Sequence, residues 1–188
     1  SVVAAKTRLA DGLLTLRARH RAGDGGRQIA RAHADLRDQV LLDLLDATLS
    51  ELASADHGGR PGGFALAAHG GYGRREVAPF SDVDLMILRR DAADDVGPLA
   101  ERLFRDVFDA GLTLGHSVRT VDEAIRLAEQ DPVIASSLVE SRWLAGSRPL
   151  FDDFQSRFQR RLRRRARAML DAFDRARSEE RLKYGETN

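Results

Sequence analysis

The 188-residue chain has no cysteine, so neither a disulfide nor a thiolate metal site can contribute to it. Aromatic residues make up only 6%, with a single tryptophan, which leaves no evident base-stacking platform for single-stranded nucleic acid. An excess of either charge is missing too. Charged residues are 31% of the chain, yet the net charge is +1, and no overall polyanion-binding field follows. No apolar run approaches the ~18 residues that a membrane span needs, and no secretory pattern opens the chain. A cytoplasmic location is therefore the default expectation, with neither membrane nor nucleic acid as an expected partner. What is present is enough length to bury a sizeable core, read as one mixed domain with helical extensions.

Val2, Leu9, Leu13 and Leu16 are spaced for one helical face, up to the break at Gly23-Asp24-Gly25-Gly26. A second helix is predicted from about Ile29 to Leu52, with Leu36, Val40, Leu41, Leu44, Leu45, Thr48, Leu49 and Leu52 as its buried stripe. The segment from His57 to Gly63 is a loop by composition. Phe64 to Ala68 reads as a short apolar strand. Asp94, Asp95 and Pro98 open a helix that Gly111 closes, with acids at its positive end. Leu112 to Val118 reads as a third strand, and Thr120 with Glu123 as a capping box for the helix behind it. Asp131-Pro132 starts another helix, expected to run to Gly146. From Pro149 one long helix is expected, with Phe151, Phe154, Phe158, Leu162, Met169, Leu170 and Phe173 along one side. Its arginines, from Arg157 to Arg167, read as a solvated face rather than a docking surface.

The most informative stretch is His69-Gly70-Gly71-Tyr72-Gly73-Arg74-Arg75-Glu76, followed by Pro79-Phe80-Ser81-Asp82-Val83-Asp84-Leu85-Met86-Ile87-Leu88. Val83, Leu85 and Ile87 alternate with Asp82, Asp84 and Met86, the period of a strand. Side chains two apart on a strand share a face, so two carboxylates stand together at its start. Such a pair makes a poor core and a good clamp for a divalent cation. The glycines upstream let a backbone approach a phosphate closely. A calcium loop is excluded, because its glycine and distal glutamate are missing. A Walker loop fails for want of the Lys-Ser/Thr pair, and a dinucleotide fingerprint fails because Glu76 stands where its third glycine belongs.

A glycine pair, a short spacer and S-D-x-D before an apolar run resembles the signature of the nucleotidyltransferase superfamily that includes DNA polymerase beta. The wording GGYGRRE…SDVDLMIL is similar to the N-terminal catalytic domain of bacterial protein-PII uridylyltransferase/uridylyl-removing enzymes. Leu114-Gly115-His116-Ser117-Val118-Arg119-Thr120, the stretch from Ser137 to Gly146, and Lys183-Tyr184-Gly185-Glu186-Thr187 extend the resemblance over 69–188 in the right order. Residues 1–60 match only in being helical. Ser1 in place of an initiator Met, and an ending just after a family motif, suggest a domain cut from a longer protein.

The resemblance implies an α+β fold, a small mixed sheet with helices of the polymerase-beta type. Its core would lie at 61–120, with a helical segment at 1–60 and a helical extension at 121–188. It implies transfer of UMP from UTP to a tyrosine of the PII signal protein, releasing pyrophosphate. Asp82 and Asp84 would be the catalytic, metal-holding carboxylates for Mg2+ or Mn2+. Gly70, Gly71 and Ser81 would cradle the β- and γ-phosphates, with Arg74 as a phosphate contact. The superfamily draws a third carboxylate from the strand near Thr113 or Gly115. Here Leu112, Thr113, Leu114 and Gly115 supply none, and Glu76, Asp122 and Glu123 have no spacing that recommends them. His116, Ser117 and Arg119 read either as site residues or as a buried histidine with a capped strand end. Two other readings stand beside the first: an adenylyltransferase or other nucleotidyltransferase with a different acceptor, and a catalytically weak regulatory or docking domain. The hydrolase domain that removes UMP and the domains that sense glutamine lie downstream in such enzymes. Only His20, His33, His57, His69 and His116 occur here, and no His-Asp doublet is among them.

Overall fold

Helical and alternating periodicities resolve into seven helices and a four-stranded sheet in the computed structural model, which describes residues 1–54, 63–165 and scattered positions beyond. Helix α1 (Val2–Arg21) turns at Gly23, whose φ of 105° suits only glycine, and packs along α2 (Gly26–Ser54). Helix α2 begins at Gly26, three residues before the predicted start at Ile29. Gln28 accepts from the Gly25 N–H at 3.1 Å, which steadies this first turn in the absence of a Ser or Asp cap.

The sheet contains β1 (Phe64–Ala68), β2 (Val83–Arg89), β3 (Leu114–Thr120) and β4 (Arg142–Gly146), in the order β3-β2-β1-β4. Strand β1 runs antiparallel to both β2 and β4, and β2 runs parallel to β3. Both faces of β2 are covered, so its apolar residues divide between two cores. Val83, Leu85 and Ile87 join Leu66, Leu41 and Leu44 under α1, α2 and α4 (Gly97–Asp109). Met86 and Leu88 join Ala65 and Ala67 under α5 (Val121–Gln130), α6 (Pro132–Val139) and α7 (Arg148–Arg164). The expected mixed sheet with helices is therefore present. A one-turn helix, α3 (Gly70–Gly73), links β1 to the loop before β2.

Several local expectations hold. Thr120 and Glu123 form the reciprocal capping box of α5. Pro98 lies in the first turn of α4, Asp95 accepts from the Gly97 N–H, and Gly111 follows the helix at a φ of 94°. The third strand is shifted by two residues, to Leu114–Thr120 instead of Leu112–Val118, and one larger expectation fails. The helix from Pro132 stops at Val139, and Arg142–Gly146 forms β4 instead of continuing it. Strand β1 needs partners for its outer backbone groups, and β4 supplies them. Gly146 makes the exit possible: its φ is 80°, and a Cβ there would lie 2.4 Å from the Phe64 carbonyl oxygen. In α7, Phe151, Phe154 and Phe158 are buried as expected. Leu170 is exposed, while Met169 and Phe173 lie outside the described residues. The arginine face is engaged in ion pairs: Arg157 with Asp122 and Asp153, Arg161 with Glu129.

Candidate active site

Strand β1 delivers His69 and Gly70 beside the start of β2, where the His69 N–H donates to the Asp84 carbonyl at 3.1 Å. Gly70 has a φ of 59°, and a Cβ there would stand 3.1 Å from both Asp84 Oδ2 and Ser137 Oγ. Asp84 pairs across the parallel ladder with Gly115, whose Cβ would stand only 2.5 Å from Asp84 Oδ1. The half-buried Asp84 carboxylate is thus seated between two positions that must lack a side chain. That explains why Gly115 bears no acid: Asp84 occupies the space. Asp82 lies one residue before the strand and is exposed. Thr113 sits beside this end of the ladder, its carbonyl accepting from the Val83 N–H at 2.8 Å. Among the described residues, no three His, Asp or Glu side chains converge on one point.

His69 points its Nδ1 to Ser137 Oγ at 2.7 Å, tying β1 to α6. Burial pushes the imidazole below its ordinary pKa, and Arg119 pushes the same way, against the pull of Asp84. Position 69 therefore carries a neutral ring near neutral pH.

The other predicted residues spread around this seat. Gly71 opens α3, and a Cβ there would meet the Glu76 carbonyl at 3.5 Å, an ordinary contact. Arg74 is half-exposed and pairs with Glu76 at 3.0 Å. Ser81 closes a turn, its hydroxyl accepting from the Ala78 N–H at 3.2 Å. Ser117 and Arg119 share the ladder face of Asp84 and Met86, whereas His116 shares that of Leu85. His116 is exposed and lies against Phe104, ring centroids 4.4 Å apart, so the buried-histidine expectation is corrected. The alternation of the strand turns it away from the acids.

Sequence reasoning missed the brace behind α3. Arg142 holds Asp38 with two hydrogen bonds, at 2.7 and 3.0 Å, and its guanidinium lies 5.5 Å from the centre of the Tyr72 ring. The Tyr72 hydroxyl donates to the same carboxylate, and burial pushes its pKa up. Arg142 also reaches the Gly73 carbonyl at 3.4 Å. Gly73 itself must be glycine, because a Cβ would strike the Glu140 carbonyl at 2.1 Å. Asp38 on α2 gave no local signal; Tyr72 and Gly73 lay inside a motif read only for phosphate.

Residues 13–121 match the family described as Putative nucleotidyltransferase DUF294. The chain belongs to this family. The DUF294 match takes in α2, the glycine turn, both acids and all of β3. The chain is also similar to proteins named bifunctional uridylyltransferase/uridylyl-removing enzyme. In Aromatoleum aromaticum the identity is 39% over 160 residues, 85% of this chain and 17% of the relative. In Azospirillum brasilense it is 37% over 153 residues, 81% and 16%. In Bordetella avium it is 49% over 130 residues, 69% and 14%. The chain thus spans about a sixth of the length of these relatives and corresponds to a nucleotidyltransferase domain within them. Among the described residues, no helix is long and apolar enough to cross a membrane.

Proposed function

We propose that this DUF294 domain transfers UMP from UTP to a tyrosine hydroxyl of the PII signal protein, releasing pyrophosphate. The observation that carries the reading is the Asp84 carboxylate seated between Gly70 and Gly115, with Asp82 exposed beside it. The similarity to uridylyltransferase/uridylyl-removing enzymes supports the choice of nucleotide and acceptor. The donor set fits Mg2+, which takes one or two carboxylates and completes its shell with water and substrate phosphates. Bound by Asp82 and Asp84, it would supply positive charge against the triphosphate and against charge developing at the α-phosphorus.

The chain's own residues do the rest by position. Gly70 and Gly71 leave the backbone of α3 bare to a phosphate, and Ser81, one residue before Asp82, adds a hydroxyl. The Asp38–Arg142–Tyr72 brace holds α3 against β4, so that this backbone does not drift. Ser137 and the neutral His69 close the seat behind Asp84 without adding a second charge. As the tyrosine oxygen bonds to the α-phosphorus it gives up its proton, and the bond from the α-phosphorus to the bridging oxygen breaks in line, releasing pyrophosphate.

Labelled UTP, ATP, CTP and GTP, each given with PII protein and Mg2+, test this. Label on PII from UTP alone is expected. Label from ATP would make the domain an adenylyltransferase. Nucleotide binding with no transfer would leave a regulatory domain that has kept its acid pair.

A further inference from the structure

Beside the 74–79 loop lies a cavity of about 570 Å3, walled by the end of α1, the beginning of α2 and that loop. We propose that this cavity binds a small organic oxyanion, a phosphate or carboxylate carried on an apolar body. The inference does not rest on the nucleotide reading: neither acid of the pair lines the cavity, although Arg74, the expected phosphate contact, does.

Its charge is one-sided. Five arginines and two histidines line it against a single acid, Glu76; Arg74 is paired with Glu76 and Arg75 with Asp35, which leaves Arg17, Arg27 and Arg31 without an ion pair among the described residues. The first turn of α2, Gly26 and Arg27, also faces it, adding the positive end of a 29-residue helix. Leu16, Ile29 and Val77 supply apolar wall. The volume lies in the range of sites for small metabolites.

Two buried side chains, one of them a guanidinium, lack the partner that such burial demands. His33, on the cavity wall, is 5% exposed, and Arg37, one turn further along α2, is 4% exposed. Arg37 grips the loop through Nη2, which donates to the Ala78 and Pro79 carbonyls at 3.4 and 3.1 Å. Its Nε and Nη1, His33 Nδ1 and Arg75 Nε have no hydrogen-bond partner among the described residues. Native interiors rarely leave such donors unsatisfied, and a buried guanidinium without a counter-charge is among the costliest cases. Burial pushes both groups below their ordinary pKa, and for Arg37 only Tyr72 opposes it. Arg37 itself does not line the cavity, but an oxyanion held there, one helical turn away, would supply the counter-charge that it lacks. The gripped loop continues through Pro79 and Phe80 into Ser81 and Asp82, so occupancy would steady the approach to the acid pair.

The test is calorimetric titration of the chain with phenyl phosphate and with benzoate, phenol serving as the uncharged control. Saturable binding of at least one anion, and none of phenol, is expected. Preference between the two anions names the head group. Arg37→Met and, on the exposed rim, Arg31→Glu should each weaken binding at least about tenfold. Arg37→Met without ligand should melt no lower than the parent, since it removes an uncompensated buried charge. Asp84→Asn should bind the anion as the parent does, and saturating Mg-UTP should not displace it. No saturable binding of either anion would overturn the proposal. So would displacement by Mg-UTP together with loss in Asp84→Asn, which would make the cavity part of the nucleotide site. Should Arg37→Met fail to fold, Arg31→Glu decides, and unchanged affinity there would also overturn it.

Discussion

Replacing Gly115 by alanine tests whether the seat of Asp84 matters for chemistry rather than for folding. The backbone of Gly115 is not in the left-handed region, so alanine is allowed there on conformational grounds. Its Cβ, however, would stand 2.5 Å from Asp84 Oδ1 and 3.6 Å from Asp84 Cγ. To regain ordinary contact the carboxylate must retreat by roughly 0.9 Å or more, because carbon and oxygen pack at about 3.4 Å and beyond. Turning it off its rotamer by some 30° costs about 0.5–1.5 kcal/mol, offset by about 0.5–1 kcal/mol from removing a glycine from a strand. Stability should therefore move by less than about 1 kcal/mol. Transfer is far more sensitive, since a misplacement near 1 Å costs about 100-fold, or roughly 2.7 kcal/mol of barrier. Label transfer from UTP and a thermal melt are measured on the same preparation. Gly111→Ala is the control: its φ of 94° makes alanine strained, yet nothing lies within 4 Å, so it should lose about 1 kcal/mol of stability and no activity. A wild-type rate in Gly115→Ala, or a rate loss no larger than its melt predicts, would refute the reasoning.

Asp82→Asn and Asp84→Asn should each abolish transfer, and without Mg2+ should melt at or slightly above the parent, because neutralising one acid relieves repulsion within the pair; wild-type transfer in either would remove the metal-site reading. Gly71→Val should block UTP binding while circular dichroism stays unchanged, since the added side chain meets the Glu76 carbonyl at an ordinary 3.5 Å but fills the phosphate approach; unchanged UTP affinity would reduce Gly71 to a turn residue. Asp38→Ala strands the Arg142 guanidinium and the Tyr72 hydroxyl, so about 2 kcal/mol of stability should go, roughly 4–8 °C in melting temperature, the partial exposure of the pair keeping it below the cost of a fully buried one. His33 and His69 have folded-state pKa values below the ordinary 6.5, so the unfolded chain protonates first; stability should be complete above that value and fall as pH drops through it toward the folded values. A denaturation midpoint that stays flat from about pH 7.5 to 5.5, or a slope that His69→Gln and His33→Gln leave intact, would contradict that burial.

Much of the fold was legible because its signals are local. The capping box at Thr120, the glycine exit at Gly111 and the alternation from Val83 to Leu88 each specify one element without help from elsewhere. What was not legible depends on partners distant in sequence. Arg142 to Gly146 carries an apolar pattern that suits a helix end as well as a strand, and only the outer edge of β1 decides between them. Asp38 has the local setting of any solvated helix acid, and its partners Arg142 and Tyr72 lie 104 and 34 residues away in sequence. His116 fell on the wrong face for a site residue because a period of two assigns alternate residues to opposite cores. The acids themselves were plain in the sequence. The reason Gly115 carries none was hidden, since it lies in the neighbouring strand's side chain.

If Asp82 and Asp84 form the site, two carboxylates must be held in shape without a third. A lone carboxylate on a strand start has several rotamers, and two ionised neighbours push each other apart. In this chain the restraint comes from excluded volume as much as from hydrogen bonds. A side chain at Gly70 or at Gly115 would crowd the Asp84 carboxylate, and at Gly70 it would also meet Ser137, which is held by His69. Helix α3 is held to α2 and β4 by the Asp38–Arg142–Tyr72 brace, and the loop to Asp82 is gripped by Arg37. Both restraints originate on α2, at Asp38 and at Arg37, adjacent residues on one helix. The N-terminal helices are therefore part of what positions the acids, although their own sequence carries no catalytic motif. A protein lacking α1 and α2 would expose Leu66, Leu85 and Ile87 and lose both holds on the glycine turn at once. Its failure to transfer would then say nothing about Asp82 and Asp84, which is why substitutions at 38 and 115, within the intact chain, separate positioning from chemistry.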